Sequence, residues 1–158
     1  MCGINGFQGD FGAELIDEMN QAISHRGPDN SSSAIVHNTS FGHVRLSIID
    51  LSERSNQPLV SSCGRYTIVF NGEIYNYKQL KEKLLNQNVV FSTEGDTEVL
   101  LELWAKEGPD CLPELDGIFS FAIYDSKDRE ITLVRDHFGI KPLYYALAKE
   151  GFIFSSEI

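Results

Sequence analysis

The chain begins Met1-Cys2-Gly3-Ile4-Asn5-Gly6-Phe7-Gln8, and residues 2–8 predict a short strand that starts almost at the N-terminus. If Met1 is removed, Cys2 carries a thiol and a free α-amino group. A free thiol has a pKa of about 8.5 and an α-amino group one of about 7.7–8.0, so near pH 7 the amine can carry a proton to and from the thiol. One residue would then supply both nucleophile and base. The alternative is that Cys2 is simply a small buried apolar side chain.

Helices and short strands are predicted along the rest of the chain. Apolar residues recur on one helical face over 15–23, 78–87 and 97–106, and a short helical piece is predicted at 112–115. Strands are predicted for 33–37, 41–51, 66–70, 118–124, 130–134, 142–147 and 152–155. Most strand connections are too short for parallel crossovers. We therefore expect one α+β domain over residues 1–158, in which a few helices cover antiparallel sheets.

Composition narrows the classes of partner. The 158 residues include 23 acidic and 13 basic side chains, a formal net charge of −10, which argues against nucleic acid and anionic membranes as partners. No apolar run reaches the length of a transmembrane helix, and no secretory signal is visible. The three cysteines, Cys2, Cys63 and Cys111, form neither a disulfide framework nor a zinc pattern. We therefore expect the protein to lie in the reducing cytoplasm and to have no metal site.

An arginine lies in an apolar, strand-like run, His43-Val44-Arg45-Leu46-Ser47-Ile48-Ile49-Asp50. Burying a guanidinium requires a partner, because an unpaired charge is costly away from water. The planar fork of Arg45 matches a carboxylate bidentately. That carboxylate could belong to a ligand or to one of the many acidic residues of the chain, and the sequence alone leaves both possibilities open.

Asn71-Gly72 follows a predicted strand in Phe70-Asn71-Gly72-Glu73-Ile74-Tyr75-Asn76-Tyr77. Asn-Gly is the commonest two-residue hairpin signal, so a turn is one interpretation. Residues 74–77, however, lead into a helix and not into a returning strand. A side-chain amide and the next backbone N–H could instead form an oxyanion hole.

Three further segments are rich in charge and turn-forming residues. Asp96, in Thr93-Glu94-Gly95-Asp96-Thr97-Glu98, is either the N-cap of a helix or a ligand for an ammonium group. The segment His25–Asp29 resembles a helix C-terminus with basic residues that suit the helix dipole. The dense loop from Arg135 to Tyr145 joins two predicted strands and is interpreted as a structural corner.

Taken together, these segments resemble the glutaminase domain of the class II glutamine amidotransferases, within the N-terminal-nucleophile (Ntn) hydrolases. The resemblance is strongest to the asparagine synthetase branch, and it runs in order across nearly the whole chain. The matching stretches are Met1–Ile4, His25–Asp29, Arg45–Asp50, Asn56–Leu59, Asn71–Tyr77, Gly95–Glu98, Leu115–Phe119, Arg135–Tyr145 and Ser155–Glu157.

The resemblance implies a fold and a reaction. The fold is a four-layer α/β/β/α sandwich of two antiparallel sheets flanked by helices. The reaction is hydrolysis of the side-chain amide of L-glutamine to glutamate and ammonia through a thioester. In that reaction Cys2 is the nucleophile, its α-amine shuttles the proton, and Asn71 Nδ2 with the Gly72 N–H holds the oxyanion.

The resemblance also implies a substrate pocket. Arg45 corresponds to the residue that binds the α-carboxylate of glutamine, and Asp96 and Glu73 to those that receive the α-ammonium. The remaining residues expected to bind substrate are Leu46, Ser47, Ile48, Ile49, Asn71 and Gly72. Arg26 and the loop 135–141 are expected to be structural or to contact another domain.

Family members usually continue after Ser-Ser-Glu into a large synthetase domain that uses ATP. This chain stops at Ile158 and has no ATP-pyrophosphatase loop of the Ser-Gly-Gly type, so we expect a fragment of a longer protein. ATP and Mg²⁺ are expected only in that synthetase domain, which is the expected partner, and no cofactor in this one. While Met1 is attached, the Cys2 nitrogen is an amide and the site has no base. Two alternatives are a non-catalytic glutamine-binding module and a glutaminase that serves another acceptor, such as a surface sugar.

Overall fold

The computed structural model describes residues 1–47 and 50–158, and it contains two antiparallel sheets. The nine strands are β1 (Gly3–Gly9), β2 (Asn30–Val36), β3 (Thr39–Arg45), β4 (Leu59–Val60), β5 (Tyr66–Ile74), β6 (Gly117–Asp125), β7 (Glu130–Arg135), β8 (Tyr144–Leu147) and β9 (Gly151–Ser155). One sheet has the order β2-β3-β1-β9-β8, and the other has the order β4-β5-β6-β7. The N-terminal strand β1 therefore lies in the centre of its sheet, paired on both sides.

The helices are α1 (Leu15–Ala22), α2 (Tyr77–Leu85) and α3 (Asp96–Glu107). Short 3-10 segments span Ser24–Arg26, Glu53–Ser55 and Gly108–Glu114. Helix α1 packs on the first sheet against β1, β2 and β3, whereas α3 packs on β5 of the second sheet and carries α2 beside it. None of the helices in the described part of the chain is long and apolar enough to span a membrane.

Two apolar clusters hold these layers together. The cluster between the sheets contains Ile4, Phe41, Val69, Tyr124 and Phe154, all nearly inaccessible to solvent. The larger cluster joins the second sheet to α2 and α3 through side chains such as Phe70, Leu84, Leu100 and Trp104. Burying apolar surface on both faces of the second sheet gives the order helix, sheet, sheet, helix. The predicted α+β four-layer sandwich is thereby confirmed.

The structure changes three boundaries predicted from sequence. The strand predicted for 66–70 continues to Ile74, because β6 pairs with it along its whole length, from Tyr66 with Asp125 to Ile74 with Gly117. Asn71-Gly72 thus lies inside β5, and the interpretation as a hairpin turn is wrong. The strand predicted for 41–51 ends at Arg45. Helix α3 begins at Asp96 itself, with Gly95 in the N-cap position, so the prediction of Asp96 as N-cap is also wrong.

Candidate active site

A cavity of about 140 Å³ opens where the start of β1 meets an edge of β5. Pockets for drug-sized ligands enclose roughly 300–1,000 Å³, so this cavity suits a ligand no larger than an amino acid. It is lined by residues from both sheets and from the loops beside them. These residues are Met1, Cys2, His43, Arg45, Leu46, Asp50, Ser55, Gln57, Phe70, Asn71, Gly72, Glu73, Gly95, Asp96, Thr97 and Lys141.

Hydrogen bonds hold both the thiol and the backbone of Cys2 in place. Its Sγ lies 3.4 Å from the backbone nitrogen of Leu46 and 3.5 Å from the Leu46 carbonyl oxygen. Its carbonyl oxygen accepts a hydrogen bond of 3.0 Å from Arg26 Nε, and Arg26 Nη1 forms a 2.7 Å ion pair with Glu157. These contacts fix both the backbone and the thiol of Cys2 at the rim of the cavity. The expectation that Arg26 is structural therefore has a specific meaning, because it positions the backbone of Cys2.

The edge of β5 that faces the cavity presents three backbone N–H groups, those of Phe70, Gly72 and Ile74. They share this edge because alternate residues of an antiparallel strand point to the same side. Gln57 Oε1 accepts from Phe70 N at 2.6 Å, and Asp96 Oδ2 accepts from Ile74 N at 2.9 Å. The short strand β4 pairs only with Thr67 and Ile68 of β5, so it does not cover the edge from Phe70 to Ile74. The N–H of Gly72 lies between the two capped groups on the same edge, Gly72 lines the cavity, and this N–H has no hydrogen-bond acceptor among the residues that the structure describes.

Asn71 supplies a second hydrogen-bond donor beside Gly72. The residue is 2% exposed, and its Nδ2 has no hydrogen-bond partner among the described residues. Buried polar groups are nearly always paired, so an unpaired donor in a cavity wall indicates a place for a ligand acceptor. A side chain at Gly72 is excluded, because its Cβ would lie 2.4 Å from the carbonyl oxygen of Ile118. Asn71 and Gly72 can thus direct two donors at one oxygen atom.

Arg45 lies buried at the end of β3, and its described partners are all uncharged groups. Nη1 donates to the Ser52 carbonyl at 2.9 Å and to Asn56 Oδ1 at 2.7 Å, and Nη2 donates to the Asp50 carbonyl. In the described part of the chain no carboxylate pairs with this guanidinium. The internal salt bridge considered from sequence is therefore not found among those residues. These hydrogen bonds use three of the five N–H groups of the guanidinium, and among the described residues Nε and the second Nη2 proton have no acceptor.

Asp50 ties together the two loops that border the cavity. Its carboxylate accepts from Ser52 N at 2.8 Å, from the Ser55 hydroxyl at 2.7 Å and from Glu94 N at 3.0 Å. The hydrogen bonds from Glu94, Ser52 and Ser55 hold the pKa of Asp50 well below its usual range. An ionised Asp50 thus connects the loop that holds Arg45 to the loop that precedes Asp96.

Asp96 faces the cavity from the first turn of α3 and is 6% exposed. Burial raises the pKa of this carboxyl to about 6, although hydrogen bonds from the Ile74, Asp96 and Thr97 N–H groups oppose that shift. Glu73, which is exposed at the rim of the cavity, adds negative charge and raises the pKa further. This part of the cavity wall is therefore suited to a cationic group, and Arg45 in the same wall is suited to an anionic one.

His43 lies on β3, two residues before Arg45, and its side chain is fully buried in the cavity wall. Burial, reinforced by the charge of Arg45, lowers the pKa of His43 to about 3, although a backbone hydrogen bond at Phe70 opposes the shift. The imidazole is neutral at physiological pH and is therefore not a base that titrates near neutrality.

The cavity brings together most of the residues predicted from sequence. Cys2, Arg45, Leu46, Asn71, Gly72, Glu73 and Asp96 all line it. Ser47 follows Leu46 but does not line the cavity itself, and its N–H donates a hydrogen bond of 2.7 Å to the Asp29 carboxylate. Ile48 and Ile49 lie outside the described residues, so their predicted contacts stay predictions.

Sequence reasoning missed several residues that shape the cavity. His43 and Asp50 lie inside the quoted run 43–50, and their polar character within it was the available signal. Lys141 lines the cavity from a distant segment, and Arg26 contacts the Cys2 carbonyl from another. The sequence gives no sign of either contact.

A family model described as a glutamine amidotransferase domain matches residues 1–158. The chain is 43% identical to putative asparagine synthetase (glutamine-hydrolyzing) 2 of Methanocaldococcus jannaschii, and 39% identical to asparagine synthetase (glutamine-hydrolyzing) 3 of Bacillus subtilis. Both alignments cover the whole chain, which spans only 34% and 27% of the lengths of these relatives.

A similarity to a solved structure supports the same fold. Glutamine phosphoribosylpyrophosphate amidotransferase of B. subtilis, solved with ADP and GMP, has a TM-score of 0.84 to this chain at 24% sequence identity. The match covers 98% of this chain and 42% of that one. At this level of identity, the similarity establishes the fold alone.

Proposed function

Because this chain belongs to the glutamine amidotransferase family, we propose that it hydrolyses the side-chain amide of L-glutamine to glutamate and ammonia, with Cys2 as nucleophile. The observation that carries the proposal is the Asn71 Nδ2 donor, which has no partner among the described residues, next to Gly72 in the wall of the cavity that also holds the Cys2 thiol. Donors aimed at a developing oxyanion usually provide the largest single contribution to this kind of catalysis.

The first half of the reaction forms a thioester. After removal of Met1, the Cys2 thiol gives its proton to its own α-amine as Sγ bonds to the amide carbon of glutamine. The carbonyl electron pair moves to oxygen, which accepts hydrogen bonds from Asn71 Nδ2 and the Gly72 N–H. When this oxyanion collapses, the C–N bond breaks and the proton on the α-amine goes to the leaving nitrogen, which departs as ammonia.

The second half releases glutamate. The neutral α-amine takes a proton from water as the water oxygen bonds to the thioester carbon, and a second oxyanion forms in the same hole. Its collapse breaks the C–S bond, and the proton returns to sulfur. Cys2 is regenerated and the products are glutamate and ammonia, so that one water is consumed for each amide cleaved.

The charged residues of the cavity wall fit the zwitterionic head group of glutamine, whose α-carboxylate and α-ammonium are attached to one carbon. The Nε–Nη2 edge of Arg45 receives the α-carboxylate as a bidentate partner. Asp96, assisted by Glu73, receives the α-ammonium. A simple amide would leave these buried charges without partners, and this penalty gives selectivity for an amino-acid amide.

The ammonia acceptor is proposed from the relatives. The chain spans about a quarter to a third of the lengths of two relatives named as glutamine-hydrolyzing asparagine synthetases. We propose that the ammonia passes to an ATP-dependent synthetase domain that makes asparagine, with ATP and Mg²⁺ bound only there and no cofactor in this domain. An acceptor of another kind, such as a surface sugar, is the alternative, and the sequence of the partner domain decides between them.

The proposed activity is tested with the chain lacking Met1, whose processing is verified by intact mass. We expect this chain to release glutamate from L-glutamine, and a glutamine analogue with an electrophilic carbon to add one equivalent of mass at Cys2. Cys2→Ala is expected to abolish both results while still binding glutamine in calorimetry. Binding without glutamate release by the processed chain would instead identify a non-catalytic glutamine-binding module.

Glutamine affinity is expected to fall as the pH drops below about 6. Burial raises the pKa of Asp96 to about 6 in the free protein, and the α-ammonium binds only the ionised carboxylate. Protonation of Asp96 therefore competes with binding at lower pH, approaching a tenfold loss of affinity for each pH unit. Calorimetric titration of Cys2→Ala with glutamine between pH 5 and 8 measures this dependence without turnover.

The matched variant is Asp96→Asn, which keeps the shape of the side chain and removes its charge. It is expected to bind glutamine weakly and with little pH dependence over the same range. Equal affinities of the Asp96 chain at pH 5 and pH 8 would contradict the assignment of Asp96 to the ammonium group.

A further inference from the structure

The loop after β7 is held rigidly by two side chains, Arg135 and Asp136. The Asp136 carboxylate accepts four backbone hydrogen bonds of 2.9 to 3.2 Å, from Phe119, Phe138, Ile140 and Lys141. Burial opposes ionisation of Asp136, but these donors outweigh it and lower its pKa. Arg135 Nε donates to the carbonyl of Lys141 at 2.6 Å. Both backbone polar groups of Lys141 are thus fixed.

This anchoring directs the side chain of Lys141 into the cavity. Lys141 is 9% exposed, and its Nζ lies 3.2 Å from Sδ of Met1. No carboxylate lies within 4.0 Å of this ammonium in the described part of the chain. A thioether is a weak hydrogen-bond acceptor, and a buried cation is costly without a strong partner. A structural role for this loop explains the hydrogen bonds of Asp136 and Arg135. It does not explain why the ammonium group of Lys141 is buried.

The partner of Lys141 is the residue that must leave before the chain can react. Met1 and Lys141 line the same cavity, and Met1 is bonded directly to the nitrogen of Cys2. Removal of Met1 takes away the thioether and creates the α-amine of Cys2 in that region. The ammonium then shares the cavity with the group that must accept the thiol proton.

We propose that Lys141 is a positioning residue for the nucleophile, whose positive charge keeps the Cys2 amine–thiol pair in its singly deprotonated, reactive form once Met1 is removed. This inference rests on the proposed glutaminase activity. A nearby cation disfavours a protonated amine and favours a thiolate. The effect is the same whichever atom of Cys2 keeps the remaining proton, because the two groups titrate as a coupled pair.

Other charged groups around the cavity do not replace this role. Arg26 contacts the Cys2 carbonyl, but its charge is balanced by its ion pair with Glu157. Arg45 is bound to the carbonyl groups of Ser52 and Asp50, and His43 is neutral near pH 7 because its pKa lies at about 3. The carboxylates are Asp50, Asp96 and Glu73, of which Asp50 is bound within its own loop and Asp96 caps Ile74 N. Lys141 lines the cavity and contacts Met1, the residue that is bonded to Cys2.

The test compares Lys141→Met with Lys141→Arg in the chain processed to begin at Cys2. For Lys141→Met, the acidic limb of kcat/KM against pH is expected to move up by roughly one pH unit, with activity recovered at high pH. Lys141→Arg keeps the charge and is expected to retain the original limb. Lys149→Met removes an exposed lysine from the β8–β9 turn and serves as the matched control, which should leave the profile unchanged.

A second measurement does not depend on turnover. The rate at which a neutral alkylating reagent modifies Cys2 is followed against pH in a Cys63→Ser background, because Cys63 is exposed and Cys111 is buried. The same upward shift is expected for Lys141→Met. If the processed chain with Lys141 releases no glutamate, the proposed function fails, while the alkylation profile still decides the role of Lys141.

Several outcomes would overturn the inference. One is an unshifted pH profile for Lys141→Met, and another is a loss of rate that is equal at every pH, as expected for a structural role. Thermal unfolding is measured for each variant, with Lys141→Gln as a second uncharged substitution. If both uncharged variants fail to fold while Lys141→Arg folds, the charge stabilises the loop and the inference is wrong.

Discussion

A tag fused directly ahead of Cys2 will slow glutamate release at least ~100-fold relative to the same preparation after cleavage exposes Cys2 as the first residue. In the tagged chain the nitrogen of Cys2 is an amide, which cannot accept the thiol proton. Within the described ranges, the thiol's hydrogen-bond contacts are the Leu46 backbone N–H and carbonyl, neither of which is a base. His43, whose pKa lies at about 3, is too weak a base to replace the amine near pH 7. Glutamate release is measured before and after cleavage of one sample.

Two controls separate the missing base from other effects. Cys2→Ala, carried through the same cleavage, should be inactive both before and after, which shows that the gain in rate requires the thiol. Glutamine binding is measured in the tagged chain, because a tag that blocked the cavity would lower affinity as well as rate. Equal rates before and after cleavage would mean that another group removes the thiol proton and that the α-amine is not the base.

Asn71→Ala is expected to lower kcat by ~100- to 1,000-fold with little change in KM, as for other single oxyanion-hole donors. The donor meets the substrate oxygen most strongly when that oxygen carries negative charge, so its loss affects the transition state more than the bound substrate. Nδ2 has no described partner in the protein, and its removal therefore breaks no hydrogen bond there. Thermal unfolding should accordingly change little, and kcat and KM are obtained from glutamate release.

Arg45→Ala is the contrasting variant for this prediction. Arg45 is proposed to bind the α-carboxylate, and such a contact would be equal in the ground state and the transition state, so its loss should raise KM more than it lowers kcat. Arg45 also holds the loop at Ser52 and Asn56, and unfolding must be measured for this variant as well. Unchanged turnover in Asn71→Ala would remove Asn71 from the oxyanion hole.

The sequence predicted the general architecture, and seven of the ten site residues expected from it line the cavity. The helices follow from apolar periodicity, and the short strand connections require antiparallel pairing. Local sequence preference gave the wrong result at Asn71-Gly72. Asn-Gly favours a hairpin turn, but pairing with the distant strand β6 overrides this preference. The sequence could not predict whether residues 70–74 continue a strand, since their partner lies more than forty residues away.

Two of the residues missed by the sequence, Arg26 and Lys141, share one physical cause. Arg26 reaches the Cys2 carbonyl across 24 positions of sequence, and Lys141 reaches Met1 across 140. Such contacts depend on the packing of loops at the end of the sheets and leave no periodic signal in the chain. The partners of Arg45 are likewise backbone carbonyls and one amide, which no count of acidic residues can reveal.

Asp96 accepts a hydrogen bond from the N–H of Ile74, and this contact connects the proposed site for the α-ammonium of the substrate to the strand edge where its amide reacts. The same carboxylate is proposed to receive the α-ammonium, while the open N–H of Gly72 lies only two residues along the strand from Ile74. A protonated carboxyl is a weaker hydrogen-bond acceptor than a carboxylate, so a ligand that keeps Asp96 ionised also strengthens the cap. Recognition of the amino-acid head group thereby stiffens the strand edge at the reacting carbonyl. An amide without an α-ammonium group would react in a looser oxyanion hole as well as bind less tightly.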